Sequence, residues 1–476
     1  MDDIKLLIAN CYNNSLERLP VYNPYSGELI ANLIKPTNDE IELAISNVYE
    51  YFDEFRKNYP AYKRAEILYK VSNQINENKE ELARLIAQEG GKPIKDALIE
   101  VNRAVNTVKL SADEALRLNG EQISMDKSPN SISHLAFTIK EPIGVVLAIS
   151  AFNHPINLIC HQVATAIAAG NTVIVKPSEK TPLSAYKICE YFFNAGLDNR
   201  CISLLPLSGL ETEKIISDKR LRYITFIGSS KVGWKIPKLI SNGVKYSLEH
   251  GGTATAIIDR NVNLNYVVKS ILKGAFYHAG QVCVSTQNAY IHKDIFNDFM
   301  DLLIAEIKDL KTGNPILNDT DIGPIITNDK VKIILNQIDE AISKGAIKIY
   351  GGEYIGNNCI TPTILNNTNM TMQIMNEEVF GPILNVNPYS NIDELIKQIN
   401  SSKYSFQDSI YSNDINLSFY FAKNVNSKAV IINDSTAFRV DWMPFGGDKD
   451  SGFGIGGVKY TINDMTREKL IIIKQL

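Results

Sequence analysis

Short apolar runs alternate with helical segments along most of this chain, and this alternation limits its fold more than any other feature. From Ile143 the runs IGVVLAIS, TVIVKP, CISLLPLSG and YITFIGSS are separated by stretches with the apolar spacing of helices. A second set follows Gly252, with ATAIID, NAYIHK and KAVIIND as its apolar runs. Strands separated by helices in this way form parallel sheets with helices on their faces. The sequence therefore predicts an α/β protein with two parallel, Rossmann-like sheets.

Two further regions do not follow that alternation. Apolar residues recur at helical spacing from about Thr37 to Leu118, which predicts a set of amphipathic helices. The segment SHLAFTIKEPI and the final EKLIIIKQL are typical of strands that belong to neither sheet and form an arm. A chain of 476 residues is too long for one compact core. We expect a first domain of residues 1–119 and 143–250, a second of residues 251–440, and a β arm of residues 120–142 and 458–476.

Charge and hydropathy exclude several classes of protein. The formal net charge is −4 with both signs mixed along the chain, so the basic surface that nucleic acids require is not expected. The start, MDDIKLLIANC, differs from a secretory signal because it has two aspartates and one lysine. The longest apolar runs fall short of the roughly 20 residues that span a bilayer. We expect a cytoplasmic protein with neither a nucleic-acid nor a membrane partner.

The cysteines suggest a single functional thiol. None of the six is paired at CxxC spacing, so neither a disulfide framework nor a metal site is predicted. Cys283 stands out because small and polar residues surround it in FYHAGQVCVSTQ. It is a candidate nucleophile, and the alternative is that it is a small buried hydrophobe.

Three other residues are candidates for chemistry beside a thiol. Glu249 precedes two glycines in LEHGG, where backbone mobility can let a carboxylate move toward a substrate. Asn153 lies between an apolar strand and a proline in SAFNHP, where its amide can donate to a developing oxyanion. The neighbouring His154 is a candidate substrate contact. The ordinary interpretations are an exposed loop glutamate, a turn asparagine, and a loop or helix-capping histidine.

Two strand ends are candidates for binding a nucleotide. YITFIGSSKVGWKI breaks at Gly228 into a helix-like segment, whose free N–H groups can hold a pyrophosphate. In IVKPSEKTPLS, Lys176 and Glu179 follow another apolar strand and can hold ribose hydroxyls. An ordinary strand-to-helix connection and a solvated charged pair are the alternatives. The two signals support each other, because one parallel sheet brings both strand ends to the same edge.

Seven motifs in the same order resemble those of the aldehyde dehydrogenase superfamily. They are AFNHP, KPSEKTPLS, FIGSSKVG, LEHGG, GQVC, EEVFGP and MPFGGDKDSG. The resemblance extends over nearly the whole chain, from VYNPYSGELI to the final strand. It implies an NAD(P)-binding first domain, a catalytic second domain, and a β arm that joins subunits into a homodimer or homotetramer.

The resemblance also implies a role for individual residues. Cys283 matches the nucleophile, Glu249 the general base, and Asn153 the oxyanion-hole donor, which acts together with the backbone N–H of Cys283. The residues that match cofactor contacts are Lys176, Ser178 and Glu179 at the adenosine ribose, Gly228, Ser229 and Gly233 at the pyrophosphate, and Glu378 and Phe380 at the nicotinamide. Thiolate attack, oxidation to a thioester and hydrolysis assisted by Glu249 are then the expected steps.

Three departures bear on this interpretation. His250 replaces the usual aliphatic residue of LELGG and can alter the pKa or the mobility of the neighbouring base. Ile455 and Gly456 replace a commonly charged pair after the last FGG motif, which affects local packing.

For the cofactor, Glu179 can accept from a ribose 2′-hydroxyl and repels a 2′-phosphate, whereas Lys176 can offset that repulsion. We expect NAD, with NADP as the alternative.

Within the superfamily, the chain looks closest to lactaldehyde dehydrogenases and to enzymes of small phosphorylated or phosphonated aldehydes. Arg103 and Arg439 can converge on an anionic or hydroxylated group, although either can instead form an ordinary ion pair. Val282 stands where phosphate-binding relatives often have an arginine, which favours a less charged substrate. His154 is a further expected substrate contact, and Phe438 and Trp442 are expected to wall the pocket.

We therefore expect oxidation of a short 2-hydroxyaldehyde such as lactaldehyde or glyceraldehyde. Phosphonoacetaldehyde, glyceraldehyde 3-phosphate and succinate semialdehyde are alternative substrates. A coenzyme A-dependent acylating enzyme is the alternative within catalysis, and a binding or structural protein that keeps the fold is the alternative outside it. The carboxylate of Glu249 favours hydrolysis over acyl transfer, and the intact set of Cys283, Glu249 and Asn153 favours an enzyme.

Overall fold

The structure, a computed structural model, describes residues 3–13 and 15–474 of the chain. Strands and helices alternate through most of it. The strands are β1 (Arg18–Tyr22), β2 (Leu29–Ile34), β3 (Gln122–Ile123), β4 (His134–Pro142), β5 (Val145–Ile149), β6 (Thr172–Lys176), β7 (Ile202–Leu204), β8 (Leu221–Ile227), β9 (Lys245–Glu249), β10 (Ala254–Ile258), β11 (Thr286–His292), β12 (Ile347–Tyr350), β13 (Thr363–Asn366), β14 (Ile383–Tyr389), β15 (Tyr404–Ser405), β16 (Gln407–Tyr411), β17 (Ala429–Ile432), β18 (Asp448–Lys449), β19 (Gly452–Phe453) and β20 (Thr466–Lys474).

The helices fall into one N-terminal group and others placed between strands. They are α1 (Asn38–Asn58), α2 (Ala61–Glu77), α3 (Lys79–Gly90), α4 (Ile94–Leu116), α5 (Asn157–Ile159), α6 (Thr165–Ala169), α7 (Pro182–Asn194), α8 (Gly209–Ile216), α9 (Ser230–Gly233), α10 (Leu264–Phe276), α11 (Phe296–Ile307), α12 (Asn328–Ser343), α13 (Gln373–Asn376), α14 (Ile392–Asn400), α15 (Ile415–Asn424) and α16 (Val458–Asp464). A π-helical turn joins α5 to α6.

Six strands form the sheet of the first half, in the order β19-β9-β8-β5-β6-β7. Every neighbouring pair in this sheet is parallel except β19 with β9. Strands β5 and β6 are buried at every position, as expected of parallel strands covered on both faces. Their carboxyl ends therefore meet at one edge, where the predicted nucleotide-binding segments begin.

Seven strands form the second sheet, in the order β12-β13-β14-β11-β10-β16-β17. In this order, all neighbouring pairs among β13, β14, β11, β10, β16 and β17 are parallel, and β12 is antiparallel to β13. Two parallel sheets flanked by helices confirm the predicted α/β class. The short strand β19 reaches back from the C-terminal part of the chain to pair with β9.

The N-terminal helices form a layer against the first sheet. Helix α1 begins with a capping box, in which Thr37 Oγ1 accepts from the backbone N–H of Glu40 and the Glu40 carboxylate accepts from the N–H of Thr37. Val71 of α2 and Val108 of α4 are fully buried in the core that these helices share with the sheet. Helix α4 is thereby held with Arg103 beside the edge of that sheet.

A three-stranded antiparallel sheet in the order β20-β4-β3 forms the predicted arm. Strand β20 pairs with β4 from Thr466 opposite Pro142 to Lys474 opposite His134. Helix α16, which the predicted arm included, packs on α4 and α6 instead. The last two residues of the predicted arm, 475 and 476, lie outside the described residues, and the division into domains stays a prediction.

In the described part of the chain, no helix is long and apolar enough to cross a bilayer.

Candidate functional site

A cavity of about 1160 Å³ opens at the carboxyl ends of β5, β6, β8 and β9. Segments of the second half of the chain line its other side, which is the arrangement that open parallel sheets provide for ligands. The predicted site residues that line it are Arg103, Asn153, His154, Lys176, Ser178, Glu179, Gly228, Ser229, Glu249, Val282, Cys283, Glu378, Phe380 and Arg439.

Two residues are not placed as expected. Gly233 is absent from the cavity lining and lies behind it, where a Cβ would overlap the His250 ring. Its lack of a side chain therefore permits close packing of α9 on that ring. Trp442 was expected to wall the pocket but is 60% exposed and does not line the cavity, whereas Phe438 does.

The loop before Cys283 has an unusual backbone. His278, Ala279 and Gly280 all have positive φ angles, of 48°, 55° and 70°. A Cβ at position 280 would overlap the carbonyl of Gly381, so only glycine fits there. Two consecutive non-glycine residues in this region are costly, and the surrounding structure must hold them.

Gln281 provides much of that support. Its fully buried side chain donates to the carbonyls of His278 and Pro324, at 3.4 and 3.2 Å, and accepts from the N–H of Ile326 at 3.0 Å. The carbonyl of Gln281 accepts from Asn153 Nδ2 at 3.0 Å. The predicted oxyanion donor is therefore tied to the backbone two residues before Cys283.

The thiol of Cys283 is held in its neutral form. Burial raises its pKa to about 12, with smaller contributions from the carboxylates of Glu378 and Glu249. The Arg439 guanidinium and the backbone N–H of Cys283 act in the opposite direction. Since the thiolate is the nucleophile, Arg439 is the nearby positive charge that favours the reactive form.

Glu249 ends β9, which is fixed in register by β8 on one side and β19 on the other. Its carboxylate lies against Gly456, where a Cβ would overlap one of its oxygens. Glycine at position 456, where relatives commonly have a charged residue, thus makes room for the Glu249 carboxylate. Burial raises the pKa of Glu249 and Arg439 lowers it, so the carboxylate has increased basicity.

His250 packs beneath that strand end and also lines the cavity. Its ring is buried against the edges of Phe226 and Trp234, and Nδ1 donates to the carbonyl of Asp450 at 2.9 Å. Burial lowers the pKa of His250, so the ring is neutral. It fastens β9 to the loop before β19, and the pKa of Glu249 is set by burial and Arg439 instead.

The predicted adenosine-binding residues lie together after β6. Lys176 is buried, and burial lowers its pKa while Glu179 raises it. The Ser178 hydroxyl accepts from the N–H of Lys180 at 3.2 Å, which shapes the turn. Gly228 and Ser229 follow β8, which β5 separates from β6 in the sheet, and they line the same cavity. Lys176 and Glu179 thus provide a cation and a carboxylate for a dinucleotide, beside the strand end at Gly228.

Glu378 and Phe380 lie at the opposite end of the cavity. One oxygen of Glu378 is buried and has no hydrogen-bond partner among the described residues, and a Cβ on Gly251 would overlap it. Burial raises the pKa of Glu378 to about 8. Phe380 has φ of 54° and packs edge-on against Phe152 at 5.8 Å. An unpartnered carboxyl oxygen beside an aromatic ring fits the ribose hydroxyls and ring of a nicotinamide nucleoside.

The two predicted substrate arginines differ in their partners. Arg103 donates to the buried carboxylate of Asp441, with Nη2 to Oδ1 at 2.7 Å. Arg439 lies over the Phe445 ring at 3.5 Å, and its Nε has no hydrogen-bond partner among the described residues. Arg103 is thus in an ion pair, as its ordinary interpretation proposed, while it also lines the cavity.

His154 and Val282 complete the predicted substrate end. His154 is buried beside Tyr277, with Nε2 and the phenol oxygen 3.5 Å apart. Burial, with the charges of Lys92 and Arg103, holds the pKa of His154 well below its ordinary value, so the ring is neutral. Val282 belongs to a small apolar cluster that includes Phe445.

Three functional residues were not predicted from the sequence. Asp441 holds Arg103, Gln281 holds the cysteine loop, and Gln407 donates to the carbonyls of Thr436 and Phe438, at 2.5 and 2.9 Å. Their partners lie far away in sequence, so spacing gives no signal for these bonds. A charged residue two positions after a candidate arginine was the available hint for Asp441.

Comparison with known sequences identifies relatives over the full length. The aldehyde dehydrogenase family profile matches residues 12–471. The 3-sulfolactaldehyde dehydrogenase of Priestia megaterium is 36% identical over 469 residues, which cover 98% of this chain and 97% of the relative. The lactaldehyde dehydrogenase of Methanocaldococcus jannaschii is 37% identical over 464 residues, or 96% of this chain and 98% of that protein.

Solved structures give the same result for the fold. Aldehyde dehydrogenase 21 from Physcomitrella patens, in complex with the reaction product succinate, superposes with a TM-score of 0.95 at 33% identity, covering 100% of this chain and 99% of that one. The glyceraldehyde-3-phosphate dehydrogenase GapN from M. jannaschii, complexed with NADP, gives 0.91 at 36% identity, with 96% and 99% coverage.

Proposed function

Because the chain belongs to the aldehyde dehydrogenase family and is an NAD(P)-dependent oxidoreductase acting on aldehydes, we propose that it oxidises a short 2-hydroxyaldehyde such as lactaldehyde to its acid. One arrangement supports this most: Cys283, Glu249 and Asn153 line the same cavity as the nucleotide-binding residues. The names of the lactaldehyde and sulfolactaldehyde relatives support the substrate class.

The proposed chemistry assigns one task to each residue. The Cys283 thiol loses its proton to solvent and the thiolate attacks the aldehyde carbon, while Asn153 Nδ2 and the backbone N–H of Cys283 donate to the resulting oxyanion. A bound dinucleotide supplies the hydride acceptor, and Lys176, Glu179, Glu378 and Phe380 would hold it. Cys283 retains the acyl group as a thioester until Glu249 takes a proton from the attacking water.

Hydrolysis is favoured over transfer to coenzyme A. A buried carboxylate with a raised pKa is suited to accept a proton from water at the thioester. If acyl transfer were the reaction, product formation would require added coenzyme A, and Glu249→Gln would leave turnover largely unchanged. The proposal expects product without coenzyme A and a large loss of turnover in that variant.

A second candidate substrate is an aldehyde with a distal anionic group. The position of Arg439 supports it, because its buried Nε has no hydrogen-bond partner in the described part of the chain and is a ready donor to a carboxylate, sulfonate or phosphate. Glyceraldehyde 3-phosphate, phosphonoacetaldehyde and succinate semialdehyde belong to this class. Val282, which adds no charge beside the nucleophile, supports the neutral substrate instead.

The arm supports a proposal about assembly. Leu135, Leu470, Ile472 and Ile473 are each about half exposed on this small sheet. Several exposed apolar side chains on one small sheet are typical of a subunit interface. We propose that the chain forms a homodimer or homotetramer through this arm.

An aldehyde panel with both cofactors tests the proposed function. Formation of reduced nicotinamide is followed with lactaldehyde, glyceraldehyde and the three anionic aldehydes, and specificity constants are compared. We expect kcat/KM to be highest for lactaldehyde or glyceraldehyde, and Cys283→Ser to abolish turnover. A higher value for any of the three anionic aldehydes, including glyceraldehyde 3-phosphate, would contradict the proposed neutral substrate.

A further inference from the structure

Asp441 is a buried hub behind the substrate end of the cavity. Its carboxylate accepts from Arg103 through Nη2 at 2.7 Å and Nε at 3.3 Å. It also accepts from His161 Nε2 at 2.9 Å and Asn157 Nδ2 at 3.2 Å. Burial alone would raise the pKa of Asp441, but the hydrogen bonds from His161 and Arg103 hold it well below its ordinary value. The group is therefore an anion at neutral pH.

The two cavity arginines consequently present different charges to a ligand. Arg103 is compensated by the carboxylate that it contacts in a bidentate manner, whereas the buried Nε of Arg439 has no hydrogen-bond partner among the described residues. The two guanidiniums are close enough that each disfavours charge on the other, since Arg103 adds to burial in lowering the pKa of Arg439. Asp441 contacts Arg103 directly, whereas it acts on Arg439 at longer range, together with Glu249, by favouring the charged form.

We propose that Asp441 is a specificity-determining residue: by engaging Arg103 it leaves Arg439 as the cation that meets the distal group of the substrate, and it thereby disfavours distal groups with two negative charges. The inference rests on the proposed function, because it concerns the far end of the same substrate. It also explains how a pocket with two arginines accepts a neutral or singly charged hydroxyaldehyde.

The position of Asp441 supports an action on charge rather than on the reacting atoms. The carboxylate is 3% exposed and reaches the cavity through Arg103, which lines it. Replacement by asparagine keeps the size of the side chain and an oxygen that can accept from Arg103 and His161, while the negative charge is lost. In a partly buried site the added net positive charge acts over several ångströms on a phosphate.

Calorimetric titration with glycerate and 3-phosphoglycerate tests the proposal, because these two acids differ only in the distal phosphate. In Asp441→Asn we expect the Kd for 3-phosphoglycerate to fall about tenfold, equivalent to about 1.4 kcal/mol, and the Kd for glycerate to change less than about twofold. Equal changes for both acids, or weaker binding of 3-phosphoglycerate, would show that Asp441 has only a structural role and would overturn the proposal.

The variant Arg103→Gln is an independent test, because its expected effect on the Kd for 3-phosphoglycerate is opposite to that of Asp441→Asn. Arg103→Gln leaves the Asp441 anion without its cation, so 3-phosphoglycerate should bind at least tenfold more weakly while glycerate binding is much less affected. In the double variant Arg103→Gln with Asp441→Asn, 3-phosphoglycerate binding should recover toward that of the unaltered protein. Absence of this recovery would contradict an action through charge.

The binding measurements need no turnover, which separates this inference from the proposed function. Charge selectivity that follows the predicted pattern supports the role of Asp441, even if the unaltered enzyme oxidises no 2-hydroxyaldehyde. Active turnover of lactaldehyde with unchanged charge selectivity in both variants overturns the role of Asp441 alone.

Discussion

Arg439 is the residue on which the charges of the site converge. It lowers the pKa of both Cys283 and Glu249, each of which is raised by burial. The same guanidinium lines the cavity, so we propose that substrate binding and thiol reactivity are coupled at this residue.

The first prediction concerns that coupling. Below its pKa of about 12, the Cys283 thiol should react with iodoacetamide about tenfold faster for each added pH unit, because the thiolate fraction rises. Arg439→Met should slow alkylation roughly three- to tenfold at any fixed pH by raising the thiol pKa further. Mass spectrometry of the peptide containing Cys283 measures the rate. The exposed Arg117→Gln is the control, and an unchanged rate in Arg439→Met would contradict the assigned effect.

Individual site residues were predicted from the sequence where they belong to a recognisable local motif. Cys283, Glu249 and Asn153 were predicted in this way, and they line one cavity. Gly233 was assigned to the cofactor site from the motif FIGSSKVG. It packs instead against His250, a residue that departs from the usual pattern. Asp441 was missed because its partners lie on other elements far along the chain.

Among the elements, strands rich in buried polar residues were the hardest to predict. In β14, Asn385 is buried and donates to Asn288 of β11 at 3.0 Å. In β16, Gln407 and Asp408 are buried; Gln407 donates to the carbonyl of Thr436, and Asp408 accepts from the N–H of Thr255 in the neighbouring strand β10. Hydrogen bonding removes the cost of burying these groups, and their polarity hides the strand pattern. The side chains of β5 and β6 are mostly aliphatic, so the sequence pattern predicted these two strands clearly.

The second prediction tests the arm as an element of assembly. Ile472→Glu places a charge on β20, where the side chain is 55% exposed in the single chain. We expect the particle mass measured by light scattering to fall to that of a smaller assembly, because a buried interface does not tolerate an unpaired charge. Ile415→Glu on α15, 58% exposed, is the matched control and should not change the mass. A monomeric unaltered protein would refute the proposed assembly.

In the whole molecule, residues that are distant in sequence line the same cavity. The first sheet supplies the strand ends for a dinucleotide, and the second half supplies Cys283, Glu378 and Arg439. Pairing of β19 with β9 fixes the strand that carries Glu249. The alternation of strands and helices predicted this architecture well, whereas the exact shape of the cavity depends on loops whose contacts have no local signature.

The third prediction concerns cofactor preference. A dinucleotide that binds the folded protein stabilises it by about 2.7 kcal/mol at one hundred times its Kd. NAD should raise the melting temperature more than NADP at equal concentration, because the Glu179 carboxylate repels a 2′-phosphate. Glu179→Ala should narrow that difference. A larger shift with NADP in the unaltered protein would reverse the predicted preference, and Lys176 would then dominate over Glu179.

The central claim is that Cys283 carries the acyl group, and trapping that group tests it most directly. Glu249→Gln should slow hydrolysis, so brief incubation with lactaldehyde and NAD followed by acid quenching should leave one lactoyl group on the peptide containing Cys283. Intact-protein and peptide mass spectrometry measure this label, with Cys283→Ser as the unlabelled control. A burst of reduced nicotinamide without any acyl label on Cys283, or with the label on another cysteine, would contradict the account.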